Sequence, residues 1–171
     1  MGLPSASSFR IRPATEDDLP GVLRCLAAAF EPYRSEYTRE AFADTVLTPT
    51  TASARLASMR ILLAEEESGV VVGTIAWGRR TGSTGLIRGM AVLPDRQGTG
   101  VAQALLDRAL AELVDAGCEA ATLGTTTVLR RAIRFYEKNG FRPSGQVMDF
   151  FGMRLFEWSR RLHGPPAQRP D

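Results

Sequence analysis

With 171 residues and a mass of 18.6 kDa, the chain holds one domain and leaves no room for a second of ordinary size. Hydrophobic residues at 44% and charged residues at 23% suit one soluble globular core and exclude disorder throughout. A net charge of only +2, despite a pI of 8.8, supplies no concentrated footprint for nucleic acid, and a single histidine, His163, leaves almost no material for a zinc site or a catalytic triad.

Residues 1–8 show no charged flank followed by an apolar run and read as a flexible N-terminus. Ala6 stands where a myristoylation signal starting at Gly2 wants Ser or Thr. Phe9-Arg10-Ile11-Arg12 alternates as a strand does, and Thr15 followed by Glu16, Asp17 and Asp18 is an N-cap with acids in the first turn, predicting a helix over 17–30. Glu31-Pro32 ends it. A short helix is predicted over 40–47, and after a break at Thr48-Pro49 a third helical stretch covers 51–59.

Arg60–Glu66 and Val70–Trp77 are β-branched runs separated by Glu67-Ser68-Gly69, the pattern of a hairpin, and Leu86–Val92 adds a third antiparallel neighbour. The longest apolar stretch, near Val70–Trp77, is far short of the about 18 residues that a membrane span needs, so a cytoplasmic protein is the default expectation. Leu105, Leu106, Ala109, Leu110 and Leu113 recur at helical spacing between Val101 and Ala116, with Gly117 as the stop. Ala120–Thr125 reads as a strand, Val128–Lys138 as a helix closed by Asn139-Gly140, and Phe141–Arg161 as two further strands. The Pro-rich residues 163–171 read as a disordered tail, which leaves 9–162 as the domain. Cys25 and Cys118 match no metal spacing and read as buried free thiols. Lys138 is the only lysine among 21 basic residues, a bias that reads as genome composition. The fold class is mixed α/β (α+β), with an antiparallel half and one parallel crossover.

The most informative segment runs from Met90 to Gln103, a strand leading through a glycine turn into a helix. The first N–H groups of a helix lack partners and the dipole there is positive, so an anion can sit at that end if no side chain obstructs it. Gly98 and Gly100 permit the approach. A nucleotide P-loop needs Gly-Lys-Ser/Thr, which is absent, and a dinucleotide fingerprint beginning at Gly98 and Gly100 meets Gln103 at its third glycine position.

Gln97-Gly98-Thr99-Gly100-Val101-Ala102 resembles the Q/R-x-x-G-x-G/A pyrophosphate loop of the GNAT superfamily of N-acetyltransferases, and Ala132–Phe141 resembles that family's A-x-x-x-Y-E-x-x-G-F segment. The resemblance covers about 9–162. It implies a central, mostly antiparallel mixed sheet of about seven strands, flanked by helices, in which the parallel fourth and fifth strands splay to admit acetyl-CoA. It assigns the backbone of Met90, Ala91 and Val92 to the pantetheine arm and thioester, and Gln97, Gly98, Thr99, Gly100, Val101, Ala102 and Gln103 to the pyrophosphate. The implied activity is transfer of an acetyl group from acetyl-CoA to a primary amine of a small molecule or peptide, by direct attack in a ternary complex. No metal, nucleic acid or membrane takes part; a homodimer is compatible with this reading.

By the same resemblance Tyr136 is the acid that serves the departing thiolate. A thiol titrates near pH 8.5, so a nearby hydroxyl can donate as charge develops on sulfur. Phe30, Tyr33 and Tyr37 fall where the family walls its acceptor cleft. Arg88, two residues before Met90, is expected to face the same side as Met90 and to hold an acidic group on the acceptor. Arg96, Arg130 and Arg134 are candidates for the phosphates. Glu31, Glu36, Glu40, Asp44 and Asp149 are candidates for relaying the acceptor's proton. Two departures stand out: Leu129 occupies the place of an Asn that contacts CoA in many relatives, and Gly124 the place of a Glu base in some. Two alternatives follow, a catalytically silent acyl-CoA-binding module and an Arg-rich nucleic-acid binder carried by pairs such as Arg79-Arg80.

Overall fold

In the computed structural model, which describes residues 8–163, β1 (Phe9–Pro13) leads through a 3₁₀ turn at Glu16–Asp18 into α1 (Leu19–Phe30), α2 (Arg39–Val46) and α3 (Pro49–Ser58). β2 (Arg60–Glu66), β3 (Val71–Arg79) and β4 (Thr84–Val92) follow, then α4 (Val101–Asp115), β5 (Ala120–Thr125), α5 (Arg130–Lys138), β6 (Arg142–Phe150) and β7 (Met153–Arg161). The expected flexible N-terminus and Pro-rich tail lie, except for Ser8 and His163, outside the described residues.

The expected elements are present, and their boundaries move at prolines. α1 begins at Leu19 rather than residue 17 because Pro20, which has no N–H to donate, is tolerated only in a first turn. Thr15 and Asp18 still form the capping box, one turn earlier, on the 3₁₀ segment. The break before α3 falls at Leu47-Thr48, and α3 starts two residues earlier than expected: Thr48 caps it by accepting from the Thr51 N–H at 3.2 Å, and Pro49 is its first residue. Val70 falls in the hairpin turn, half exposed.

The strands form one seven-stranded sheet in the order β1-β2-β3-β4-β5-β7-β6, antiparallel at every step except β4–β5. Both faces are covered, which is why Ile61–Ala64 is an unbroken buried run. Ile61 and Leu63 pack under α1 and α3, together with Val22, Leu26 and Ala52. Leu62 and Ala64 point to the other side, where α4 contributes Leu105, Leu106, Ala109 and Leu113, and where Tyr136, Phe141 and Trp158 close the layer.

Two irregularities shape the centre of the sheet. The parallel pairing of β4 with β5 lasts only from Thr84↔Ala120 to Leu86↔Thr122, so Ile87–Val92 has no strand partner on that side. On its other side β4 carries a bulge. Thr74 faces Ala91 and Ala76 faces Arg88, which leaves Gly89 and Met90 together opposite Ile75, with Gly89 at φ +60°. The extra residue re-aims everything beyond it.

Candidate active site

The parting of β4 and β5 opens a cavity of about 480 Å³. One wall is the unpaired edge of β4, with Met90, Ala91 and Val92 all lining the space. At one end lies the start of α4. The first backbone bond of that helix is Ala104 N–H to Gly100 O at 3.1 Å, so the amides of Val101, Ala102 and Gln103 precede it, and no side chain caps them. Gly98 at φ +77° and Gly100 at φ +92° adopt a left-handed backbone that disfavours other residues, and a Cβ on Gly100 would meet nothing within 4 Å. An unobstructed, positively poled helix end is a cradle for a phosphate group.

Of the loop residues, Gln97, Gly98, Gly100, Ala102 and Gln103 line the cavity, whereas Thr99 and Val101 do not. The Thr99 hydroxyl donates to the Arg96 carbonyl and Val101 is buried in the core, so both shape the loop from behind. Gln97 braces it from both ends, its amide donating to Val92 O at 3.3 Å and its side-chain carbonyl accepting from Arg131 Nη1 at 2.9 Å. Arg131 is thus the α5 arginine that reaches the glycine turn, while Arg130 and Arg134 do not line the cavity. Arg96 does, but Glu66 and Asp95 already hold its guanidinium.

Tyr136 comes from α5, whose inward face pairs it with Phe135 and Phe141 at ring separations of 5.7 and 5.8 Å. Its hydroxyl donates to the Met90 thioether at 3.5 Å. The structure therefore brings Tyr136 and the unpaired edge of β4 together, although 46 positions separate Tyr136 from Met90 in sequence. Burial pushes the Tyr136 phenol well above its ordinary value, which keeps it protonated and able to donate.

Phe30, Tyr33 and Tyr37 line the opposite end, where Phe30 contacts both tyrosines at centroid distances of 6.5 and 6.4 Å. The Tyr37 hydroxyl lies 3.4 Å from Thr126 Oγ1 and ties this end to the loop after β5. The expected orientation of Arg88 is corrected by the bulge. Arg88 shares a face with Ala91, on the side of α1–α3, and donates to Asp44 Oδ2 at 3.1 Å, whereas Met90 turns toward Tyr136. Of the acidic candidates only Asp44 lines the cavity; Glu31 is paired with Arg34 at 3.0 Å.

The place of the missing acid is filled. A Cβ on Gly124 would come 2.7 Å from Leu155 Cδ2, so a leucine from β7 occupies the volume that a longer side chain on β5 needs. Arg55, which sequence reasoning passed over, also lines the cavity. Its signal was an arginine on the apolar face of a short helix, three positions from the buried Ala52. Neither cysteine lines the cavity, and burial pushes the Cys25 thiol up to about 12.

Known proteins place this architecture. The family model described as Acetyltransferase (GNAT) family matches residues 22–141. An uncharacterized N-acetyltransferase of Mycobacterium tuberculosis is 39% identical over 77 residues, 40% of this chain and 49% of that protein. A mycothiol acetyltransferase of Propionibacterium freudenreichii is 34% identical over 85 residues, 47% of this chain and 27% of that protein. The chain thus matches about half and about a quarter of the length of these relatives. Among solved structures, PaiA N-acetyltransferase from Thermoplasma acidophilum in complex with coenzyme A superposes with a TM-score of 0.76 at 16% identity, covering 90% of this chain and 99% of that one. The yncA protein of Salmonella typhimurium, with its cofactor acetyl-CoA, does so with a TM-score of 0.68 at 24% identity, covering 96% and 99%. With the seven-stranded sheet, the splayed parallel pair and the glycine turn all in place, the family match settles the assignment: this chain belongs to the GNAT family of acetyltransferases.

Proposed function

We propose that the chain is an acetyl-CoA-dependent N-acetyltransferase that acetylates a primary amine by direct attack in a ternary complex. The observation that carries this reading is convergence within one cavity. The uncapped start of α4, the unpaired edge of β4 and the Tyr136 hydroxyl all face the same space. The relatives whose names carry N-acetyltransferase or acetyltransferase support it, as do the structures that hold coenzyme A or acetyl-CoA.

The residues fit the cosubstrate. The amides of Ala102 and Gln103 and the backbone at Gly98 and Gly100 take the pyrophosphate, with Arg131 beside them as a positive charge. The free edge of β4 at Met90–Val92 offers backbone groups to an extended amide-bearing arm, as a sheet edge does to an added strand. Acetyl-CoA would supply an activated acyl group; a C–N bond forms as the C–S bond breaks, the electron pair of that bond leaves on sulfur, which takes a proton from Tyr136, and the proton that nitrogen sheds on becoming an amide replaces it. Tyr136 donates to that sulfur, and exchanges its long contact with the Met90 thioether for a stronger one to developing negative charge. The route needs no covalent enzyme intermediate, and the thiols of Cys25 and Cys118 are buried and do not line the cavity. Phe30, Tyr33, Tyr37 and Arg88 belong to the acceptor end.

A lysine-like acceptor costs roughly 4 to 5 kcal/mol to deprotonate at pH 7 without help. With Leu155 filling the space beside Gly124, Asp44 is the carboxylate base at hand, its Oδ2 bonded to Arg88 and its Oδ1 left for the proton. Calorimetric titration with coenzyme A, followed by free-thiol detection with acetyl-CoA and a panel of amines, tests the reading. Saturable binding with turnover supports it; no binding ends it. Binding without turnover on any amine selects instead a silent acyl-CoA-binding module, the reading that Gly124 and Leu129 favour.

A further inference from the structure

Arg55 is 9% exposed, and its side chain makes no hydrogen bond or ion pair with any described residue. Among the described residues the only fully enclosed side-chain polar atom without a partner is Trp77 Nε1, so the Arg55 nitrogens reach open space. That space is the cavity, which Arg55 lines from α3. A guanidinium that is largely buried and has no partner in the protein is poorly solvated, and an anion entering the cavity relieves that cost better than water does. Burial and the neighbouring Arg88 pull the Arg55 pKa down to about 10, with Asp44 opposing them. The guanidinium therefore stays charged at neutral pH.

Its position follows from the bulge in β4. A Cβ on Gly89 would come 2.8 Å from Arg55 Nη1, so glycine at this position is what allows the guanidinium to lie against the strand. Met90, the next residue, carries the thioether that receives the Tyr136 hydroxyl. Consecutive Cα atoms are about 3.8 Å apart, which sets Arg55 a few bonds' reach from the place where the acyl group is transferred. Arg88 lies nearby but is engaged by Asp44 at 3.1 Å. Arg55, Arg88 and Asp44 together leave this end of the cavity one positive charge in excess, a match for a monoanion.

We infer that Arg55 binds a carboxylate on the acceptor, so that the substrate of this chain is a small carboxylate-bearing amine of the amino-acid class. The inference rests on the acetyltransferase reading above. A planar guanidinium holds a carboxylate through two parallel N–H donors, which fixes orientation as well as charge. The free amino group of such an acceptor is then aimed along β4 toward Met90 and Tyr136. Arg88 holds Asp44 through Oδ2, and no bond joins Asp44 to Arg55, so the Arg55 donors stay available.

Thiol release from acetyl-CoA is measured with the common amino acids, with their primary amides, and with phosphoethanolamine, while coenzyme A affinity is measured in parallel by calorimetry. The N-acetyl amino acids are titrated against the protein saturated with coenzyme A. At least one amino acid should exceed its own amide by roughly 10²-fold in kcat/KM, even though the amide presents the less basic amine. Arg55→Met should erase that preference with coenzyme A affinity unchanged, and Arg55→Lys should restore part of it. The wild-type comparison stands whether or not Arg55→Met folds. Equal turnover of acid and amide, preference for phosphoethanolamine, or failure both to acetylate amino acids and to bind their N-acetyl products overturns the inference and leaves coenzyme A binding intact. Loss of coenzyme A binding in the wild type is a different result and overturns the acetyltransferase reading together with this one.

Discussion

Gly73 on β3 links the core to the glycine turn at the start of α4, the proposed cosubstrate site, and Gly73→Ala measures the link. A Cβ there would stand 2.7 Å from Val101 Cγ1 and 2.9 Å from Leu105 Cδ1. Ordinary carbon contacts lie near 3.5 to 4.0 Å, so one side must yield by about 1 Å. Val101 is 2% exposed and Leu105 0%, which leaves neither side chain an easy way out. Overpacking of this kind costs about 1–3 kcal/mol, and at roughly 2–4 °C per kcal/mol the melting temperature should fall by several degrees. The yielding part is the first turn of α4, because Val101 opens that helix. Coenzyme A affinity should therefore fall with stability. Val101→Ala removes the nearer of the two contacted methyls and gives Leu105 Cδ1 room to move, so in the double variant the new Cβ enters space that the valine has vacated. The double variant should be more stable than the two single effects predict by about 1 kcal/mol, and it should regain coenzyme A affinity. Thermal unfolding followed by circular dichroism and calorimetric titration supply the two readouts. Strictly additive stabilities with an unchanged Kd for coenzyme A would refute the claim that β3 sets the position of the glycine turn.

Three further outcomes are expected. Tyr136→Phe should lower kcat by about 10²-fold with coenzyme A affinity and fold intact, since the hydroxyl's partner in the protein is only a thioether; steady-state kinetics beside calorimetry check this, and equal rates dismiss the acid role. Arg131→Ala should weaken coenzyme A binding and steepen nothing else, because it removes both a charge beside the glycine turn and the donor that steadies Gln97; the salt dependence of Kd should become shallower. Two bonds from Arg12, at 2.7 and 2.8 Å, hold the Asp18 carboxyl well below the usual carboxylate range. A carboxylate depressed in the folded state adds stability above its unfolded pKa of about 3.9 and loses it as pH falls further. Asp18→Asn should cost about 1–2 kcal/mol at pH 7 and flatten the loss of stability below about pH 4, as read from urea midpoints across pH.

What the sequence makes legible is what depends on a few adjacent residues. The helical spacing of Leu105, Leu106, Ala109 and Leu113 is enough to place α4, and Gly98 with Gly100 is enough to place its uncapped start. The inward face of α5, with Tyr136 on it, follows from the same periodicity. Proline misplaces helix starts: the helix predicted from residue 17 begins at Leu19 and the one predicted from 51 begins at Pro49, because Pro20 and Pro49 each belong in a first turn, where the missing N–H costs nothing.

The acceptor end resists such reading because its geometry depends on residues far apart in the chain. Alternation places Arg88 beside Met90 only on a regular strand, and the bulge that separates them is visible only in the register with β3. Gly124 reads as the loss of an acid, but the structure makes it the partner of Leu155 from β7, whose side chain needs the space. The same reasoning explains Arg55. On a helical wheel an arginine three positions from Ala52 reads as a flaw in an apolar face, and only the cavity against Gly89 turns that flaw into the least neutralised charge of the acceptor end. In the proposed function, glycines 89 and 124 do for the acceptor what Gly98 and Gly100 do for the cosubstrate: each leaves out a side chain so that another group can stand there. A motif shows that absence when the incoming group is a ligand shared across a family, and only the folded chain shows it when the incoming group is one of its own side chains.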